Sequence, residues 1–279
     1  MMAAPKRSTF NDRSSLHSGP ALRFSLNDLT PDERRTLEID LTLAARIQQS
    51  QLPSKDFSPA GLEVHYRYAP AALVSGDYCD LFEANNGLLF LLGDVSGKGV
   101  ASSMLVSHLR AIFRSLADFP LDRMVEAANR IFLQSALADQ FATLVAGRLA
   151  RNGSVEFINA GHPPFLHLSN AGVRSQHSTE VPLGMFIGTR FTIHRFFLEI
   201  GDSLLIYTDG LTEANNRAGE HYSLQRVVSL ASRHHWMAPS ELVAECLSDL
   251  HSFTEGEKQS DDLTLLVIRR TPEAFLKLP

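Results

Sequence analysis

The stretch that most constrains the fold of this chain is residues 87–104, which read GLLFLLGDVSGKGVASSM. Residues 88–92 form a short apolar run between glycines, which is typical of a strand buried on both faces. The run ends in Gly93-Asp94, and a carboxylate there is costly to bury unless its charge is compensated. Asp94 is therefore either a cap for the following loop or helix, or a ligand of a divalent cation.

The bulk composition excludes several classes of protein. A net charge of −5 gives no support for nucleic acid as the main partner. The two cysteines, Cys79 and Cys246, stand in no zinc-ligand or disulfide pattern. No segment approaches the roughly 20 apolar residues that cross a bilayer, and the start lacks a signal-peptide core. We therefore expect a soluble cytoplasmic protein with no nucleic-acid or membrane partner.

The chain divides into four segments by pattern. Residues 1–30 are polar, with scattered apolar residues and no period, and are predicted to be a disordered tail. Residues 31–53 are predicted to form a linker or switch helix. Residues 54–270 alternate between strand-like and helix-like runs and are predicted to form the folded domain. Residues 271–279 are predicted to be a short tail.

The predicted linker helix has a clear start. Thr30 is a good cap, Pro31 suits the first helical position, and acidic residues fill the first turn. Apolar residues then recur at helical spacing at Leu37, Leu41, Ala44 and Ile47. Such a stripe is consistent with packing on the helix's own domain or with self-association through residues 32–52, and it spans too few heptads to establish a coiled coil.

A predicted hairpin places a second acidic residue near Asp94. The segment Val74-Ser75-Gly76-Asp77-Tyr78-Cys79-Asp80 precedes Asn85-Asn86-Gly87, a strong hairpin turn. Asp77 and Asp94 are each eight or nine residues from that turn, so the hairpin places them roughly opposite each other. This register favours a shared metal site.

Two later strand ends repeat the same pattern. The apolar residues 204–206 lead to Asp209-Gly210, and Asp261-Asp262 precede the last predicted strand. Carboxylates that converge on one place repel each other, and two divalent ions balance their charge. Carboxylate and water ligands suit Mg²⁺ or Mn²⁺ rather than Zn²⁺. Two such ions, bridged by one carboxylate, activate water for attack on phosphorus, so the pattern predicts phosphoester hydrolysis.

Six ordered motifs carry a resemblance to a known family. They are SGDYCD, GDVSGKGVAS, FATLV, NAGHPP, YTDGLTEA and SDDLTLLVIR. In this order and spacing they resemble the bacterial SpoIIE/RsbU-like serine phosphatases, a branch of the metal-dependent PPM (type-2C-like) protein phosphatases. The resemblance covers residues 44–269, including a lead-in, AARIQQSQLP, that is similar to the family's linker helix.

The resemblance implies an α+β fold, a four-layer α-β-β-α sandwich of two antiparallel sheets flanked by helices. It implies two Mn²⁺ or Mg²⁺ ions bridged by Asp94, with the backbone carbonyl of Val95 as a further ligand. Asp77 is then expected on the metal away from the final motif, and Asp209 and Asp261 on the other. Asp262 either coordinates or orients its neighbour.

Other residues of the motifs are left with open or structural roles. Asp80 is expected to support the site or the fold. His162, in the NAGHPP loop, is either a catalytic or phosphate-facing group or a hydrogen-bonded loop residue. The residue that grips the phosphate is not evident from the sequence, because the arginine that eukaryotic relatives use has no match.

The resemblance also implies a substrate and partners. The expected substrate is a phosphoserine or phosphothreonine on a STAS-domain anti-sigma-factor antagonist, in a partner-switching pathway that releases a sigma factor. The stretch before Glu38 is too short for a sensor domain, so regulation is expected through an activating protein, the tail or a homodimer. The alternative is a catalytically silent phosphatase fold that binds a signalling partner as a scaffold.

Overall fold

The computed structural model of the chain describes residues 29–55, 57, 59–84, 87–137 and 139–272. The predicted tails, apart from residues 29–30 and 271–272, and the Asn85-Asn86 turn lie outside these residues. The chain separates into two units, Met1–Asp40 and Leu41–Pro279, with the boundary inside the first helix. Among the described residues, no helix combines the length and apolar character needed to traverse a lipid bilayer.

Ten strands form two sheets. In chain order the strands are β1 Leu62–Ala69, β2 Asp77–Ala84, β3 Gly87–Val95, β4 Ala142–Ala150, β5 Ser154–Ala160, β6 Phe165–Ser169, β7 Gly172–Gln176, β8 His194–Phe197, β9 Ser203–Tyr207 and β10 Leu263–Arg270. One sheet has the order β1-β10-β9-β6-β7 and the other the order β2-β3-β4-β5-β8. We call them the β10 sheet and the β3 sheet, and every neighbouring pair in both is antiparallel.

Six helices complete the described fold. They are α1 Pro31–Ser50, α2 Val100–Ser115, α3 Leu121–Ser135, α4 Asp209–Thr212, α5 Leu224–His234 and α6 Pro239–Thr254. Helices α2 and α3 pack on the outer face of the β3 sheet, and α5 and α6 pack on the outer face of the β10 sheet. The predicted four-layer sandwich is confirmed.

The alternation of side chains along the central strands builds all three apolar layers of this sandwich. In β3, Leu89 and Leu91 face α2 and α3, whereas Phe90 and its neighbours Leu88 and Leu92 face the other sheet. A strand with helices on one face and a second sheet on the other has no solvent-exposed side. This burial explains why residues 88–92 are continuously apolar rather than alternating.

Helix α1 begins as predicted. The Glu33 amide donates to Thr30 Oγ1 at 3.3 Å, and the Thr30 amide donates to Glu33 Oε2 at 2.8 Å. This reciprocal pair is a capping box, and Pro31 occupies the first helical position, where its missing N–H costs nothing.

The second half of α1 shows which residues of the apolar stripe face inward. Gln48 is buried together with the half-buried Leu41 and Ala44, whereas Ile47 is 59% exposed. At 3.6 residues per turn, a residue seven positions on returns to the same face, whereas one six positions on does not. The inward face therefore runs through Leu41 and Gln48, and Ile47 lies outside it on the exposed side of the helix.

Asp80 anchors α2 to the β3 sheet. Its carboxylate is fully buried and accepts two hydrogen bonds from Arg114, from Nε at 2.8 Å and from Nη2 at 2.7 Å. The Arg114 guanidinium also lies 4.5 Å from the centre of the Phe82 ring. Side chains alternate along β2, so Asp80 faces this helix while Asp77 faces the other sheet.

Two strands and one connection were not foreseen. The hairpin of β6 and β7 escaped prediction because its edge strand, Gly172–Gln176, is short and mostly polar. The turn at residues 200–202 carries the chain from one sheet to the other. The strand before it, β8, pairs with β5, and the strand after it, β9, pairs with β10 and β6.

The contact between Gly147 and Phe90 gives a test of the packing between the sheets. The two residues pair across β3 and β4, and a Cβ on Gly147 would overlap the Phe90 ring. We expect Gly147→Ala to lower the free energy of unfolding by about 1–3 kcal/mol, because overpacking forces the ring out of place. Adding Phe90→Leu should recover part of this loss, and urea unfolding of both single variants and the double variant measures the coupling. Strictly additive effects would contradict this packing.

Candidate metal centre

Five acidic residues of the motifs lie at the facing ends of the two sheets: Asp77, Asp94, Asp209, Asp261 and Asp262. In the β3 sheet, Asp77 begins β2 and pairs directly with Asp94 near the end of β3, so the predicted hairpin register is confirmed. In the β10 sheet, β9 and β10 are antiparallel, with Tyr207 opposite Leu265. Asp209, just after β9, and Asp261-Asp262, just before β10, therefore lie at the same end.

Asp77 is held by the opposite sheet. Its side chain is buried, and its Oδ2 accepts hydrogen bonds from Thr208 Oγ1 at 3.0 Å and from Thr264 Oγ1 at 2.5 Å. The Thr264 amide donates in turn to Thr208 Oγ1 at 2.9 Å. Burial, followed by the nearby charges of Asp94 and Asp262, raises the pKa of Asp77 well above its usual range, although the two hydroxyls oppose this shift.

Asp94 lies among several negative charges. Burial raises its pKa to about 7, and repulsion from Asp209, Asp261 and Asp262 adds to the shift, while Lys98 opposes it. A carboxylate with such a pKa has lost much of its preference for the ionised form, because its surroundings supply too little positive charge. The negative charges at the end of the β10 sheet therefore act directly on Asp94 at the end of the β3 sheet.

Asp209 and Asp261 form the more accessible side of the cluster. Burial raises the pKa of Asp209, followed by repulsion from Glu213 and Asp261. Lys98 lies over this side, with Nζ 3.0 Å from Asp261 Oδ2 and donating to the Ser260 carbonyl at 2.8 Å. Lys98 follows Gly97, whose φ of 92° is in the left-handed region that glycine adopts readily.

Asp262 fixes the loop that leads into Asp77. Its Oδ1 accepts the Ala71 amide and its Oδ2 accepts the Gly76 amide, both at 2.8 Å. From the other side, the buried Gln48 donates from Nε2 to the Ser75 carbonyl at 2.7 Å and accepts the Ser75 amide at 3.0 Å. The structure thus places Asp262 against the backbone of this loop, beside the cluster.

Gly76 leaves room for ligands between the two strands. A Cβ at this position would lie 2.8 Å from the Val95 carbonyl oxygen and 3.1 Å from Asp94 Oδ1. These are the two oxygens that the sequence assigns to the same metal. Only glycine keeps the space beside both of them clear of side-chain atoms.

The donor set fits a hydrated hard cation. Within residues 29–272, leaving aside the short undescribed gaps, no group of three or more His, Cys, Asp or Glu side chains is arranged to hold a metal ion without water ligands. Mg²⁺ keeps several waters and is usually held by one or two carboxylates, so it needs no such group. Carboxylates from both sheets, raised pKa values and oxygen donors without thiol or imidazole ligands all suit Mg²⁺ or Mn²⁺.

Sequence reasoning missed residues that support the cluster. Thr208 and Thr264 stand inside the quoted motifs, one residue before Asp209 and two after Asp262. Gln48 stands in the lead-in to the domain. A hydroxyl or amide beside an acidic motif was a usable signal, but only the tertiary structure shows that the threonines reach Asp77 and that Gln48 reaches Ser75.

Comparison with protein families identifies the chain. Residues 84–271 match the model of the family "Stage II sporulation protein E (SpoIIE)". The chain is 27% identical to protein IcfG of Synechocystis sp. over 83% of its length and 42% of that protein. It is 24% identical to the phosphoserine phosphatase RsbU of Bacillus subtilis over 85% and 72%. The chain therefore spans under half of IcfG.

Solved structures show the same fold. The SiaA-PP2C domain of Pseudomonas aeruginosa superposes with a TM-score of 0.74 at 19% identity, over 85% of this chain and 97% of that one. The RsbU and RsbW domains of Rv1364c from Mycobacterium tuberculosis give 0.67 at 31% identity, over 77% and 61%. RsbX in complex with magnesium gives 0.58 at 16% identity, over 75% and 94%.

The fold is thus that of PP2C-type phosphatase domains. This chain belongs to the SpoIIE family, as its six motifs predicted.

The repulsion around Asp94 gives a test that needs no substrate. In EDTA at pH 8 we expect Asp94→Asn to stabilise the protein by about 1–2 kcal/mol, because it removes a charge that burial and three carboxylates disfavour. The pKa of Asp94 is raised on folding, so the wild-type penalty appears as pH rises from about 4 to about 7. The advantage of the variant should therefore be present above pH 7 and vanish near pH 4. Urea unfolding at both pH values measures it, and an advantage that is independent of pH would contradict the interpretation.

Proposed function

We propose that this chain is a metal-dependent protein serine/threonine phosphatase. The observation that carries the proposal is the meeting of Asp77, Asp94, Asp209 and Asp261 at the facing ends of two sheets in a SpoIIE-family fold. The charges of neighbouring carboxylates add to burial in raising the pKa of Asp77, Asp94 and Asp209, and nearby cations would relieve this repulsion. The similarity to a named phosphoserine phosphatase supports the same chemistry.

Two Mn²⁺ or Mg²⁺ ions are the proposed cofactors. Asp77, Asp94, Asp209, Asp261 and the carbonyl of Val95 would hold them, and when bound such ions activate water for in-line attack on phosphorus. The magnesium complex of RsbX, which shares the fold, supports this choice of ion. We assign Asp262 to the support of this set, because each of its oxygens already accepts a backbone amide.

The protein's own residues divide the remaining tasks. Thr208 and Thr264 donate hydrogen bonds to Asp77 Oδ2 and so hold the Asp77 carboxylate in one orientation. Asp262 and Gln48 hold the loop before Asp77 from its two sides. Such support keeps the carboxylates in place before a substrate arrives, which lowers the cost of assembling the site.

Lys98 is the proposed phosphate-gripping residue. Its ammonium group is exposed and lies on Asp261, and its charge also acts on Asp94 and Asp209. A phosphoryl group that approaches these carboxylates brings further negative charge to the same place. A flexible lysine can meet that charge as a point cation.

The proposed substrate is a phosphoserine or phosphothreonine on a STAS-domain anti-sigma-factor antagonist in a partner-switching pathway. Similarity to RsbU and to a protein that joins an RsbU domain to an RsbW domain supports this class. Regulation by an activating protein or a homodimer through residues 32–52 is supported by the exposed Leu43 and Ile47. The alternative is a catalytically silent scaffold. The presence of all four proposed carboxylate ligands argues against it.

Turnover provides the direct test of this function. With Mn²⁺ and a phosphorylated STAS protein or a generic phosphoester, we expect the wild type to release phosphate. Asp94→Asn should lower kcat by about 10³-fold or more, because it removes the negative charge of a carboxylate that would hold the ions. A pull-down with Asp94→Asn should retain the phosphorylated partner. A wild type that binds the partner and never hydrolyses it would instead establish the scaffold.

The role of Lys98 can be separated from metal binding. We expect Lys98→Gln to raise KM and to weaken inhibition by inorganic phosphate about 10-fold, because one charge-assisted contact is lost. Lys98→Arg, which keeps the charge, should recover most of this affinity. Mn²⁺ affinity, measured by calorimetry without substrate, should not fall in either variant. A glutamine variant with unchanged phosphate inhibition would show that Lys98 does not contact the phosphoryl group.

A further inference from the structure

We infer that His162 is a positioning residue that joins the metal-binding ends of the two sheets and sets the spacing of the carboxylates there. The inference rests on the proposed metal-dependent function. It gives a role to the NAGHPP loop, which carries none of the proposed metal ligands.

The loop that carries His162 is rigidly held. The His162 amide donates to Asn159 Oδ1 at 3.0 Å, and the Gly161 amide donates to Ser178 Oγ at 2.8 Å. Gly161 has a φ of 69°, a left-handed conformation that glycine adopts without strain. The side chain of His162 is only 2% exposed. Its ring is therefore fixed in one orientation.

Each ring nitrogen of His162 has a partner on a different sheet. Nδ1 lies 2.9 Å from Oγ1 of Thr143 in β4, and Nε2 lies 3.1 Å from the carbonyl oxygen of Tyr207 in β9. A carbonyl oxygen only accepts, so Nε2 carries the proton and donates it. Burial lowers the pKa of His162 to about 3, so the ring is neutral and Nδ1 accepts from the Thr143 hydroxyl.

Both partners lie beside proposed metal ligands. Thr143 is the direct partner of Asp94 across β3 and β4. The Tyr207 carbonyl belongs to the peptide group that precedes Thr208, whose hydroxyl holds Asp77, and Asp209 follows. The imidazole thus spans from the strand beside Asp94 to the strand end that carries Asp209. A shift of either sheet end would break one of its two hydrogen bonds.

A second buried histidine provides a matched control. His167 is 6% exposed, and its Nε2 lies 2.8 Å from Asp202 Oδ2. Asp202 stands just before β9, at the end of the strand opposite Asp209. His162 and His167 are therefore similar in burial, and the ring of each is hydrogen-bonded, His167 to one carboxylate and His162 to a hydroxyl and a carbonyl. Only His162 reaches the acidic end.

The experiment compares Mn²⁺ binding by the full chain and its variants, using calorimetry and the magnetic coupling of the bound Mn²⁺ pair in electron paramagnetic resonance. His162→Asn keeps an acceptor near Nδ1, and His162→Gln keeps a donor near Nε2. Each preserves one of the two bonds. We expect both to bind Mn²⁺ about 10–100-fold more weakly, as is usual when a group that orients metal ligands is lost, and to show altered coupling.

Three further variants separate positioning from stability. Thr143→Val removes one hydroxyl and should weaken Mn²⁺ binding in the same direction, whereas Thr143→Ser should restore it. These two variants carry the test if the His162 variants do not fold. His167→Gln should lower the Tm and leave Mn²⁺ affinity and coupling unchanged.

The outcomes distinguish this inference from the proposed activity. Folded His162 or Thr143→Val variants with wild-type Mn²⁺ affinity and coupling would overturn it, as would an equal effect of His167→Gln. A wild type that binds two Mn²⁺ ions without any turnover would refute the activity alone, and the variants would still decide the role of His162. A wild type that binds no Mn²⁺ would refute both.

Discussion

The mutual repulsion of carboxylates at one end of the sandwich is the constraint on which the site depends. Asp94 is surrounded by Asp209, Asp261 and Asp262, and burial adds to the cost of its charge. Burial of several negative charges at one place is unfavourable, and such clusters are typical of functional sites. Without cations the repulsion between these carboxylates destabilises the protein. Cations that bind here relieve the repulsion, which strengthens their binding.

The polar residues around the cluster resist this repulsion. Thr208 and Thr264 cross from the β10 sheet to Asp77, Asp262 reaches back to the backbone before Asp77, and His162 joins the two sheets from the other side. Each of these groups is buried and finds a partner, so together they keep like charges at fixed positions. The apolar layer between the sheets, which includes Phe90 packed over Gly147, gives them a rigid support.

Much of the fold could be predicted from local sequence pattern. The register of Asp77 against Asp94 followed from counting residues to the Asn85-Asn86-Gly87 turn. The edge strand β7 could not be predicted, because a short polar strand at a sheet edge has little apolar pattern. The inward face of α1 could not be chosen from the sequence, because a sparse apolar stripe does not fix the phase of a helix.

The sequence by itself determined the family, whose resemblance implied the four layers, and the pairing of Asp77 with Asp94, because ordered motifs and turn residues are local features of the chain. Only the tertiary structure decided which groups surround the acidic residues. It placed both oxygens of Asp262 on backbone amides, Lys98 on Asp261, and His162 between Thr143 and Tyr207. The physical reason is that these contacts join residues far apart in the chain, and hydrogen-bond geometry exists only once the two sheets have packed.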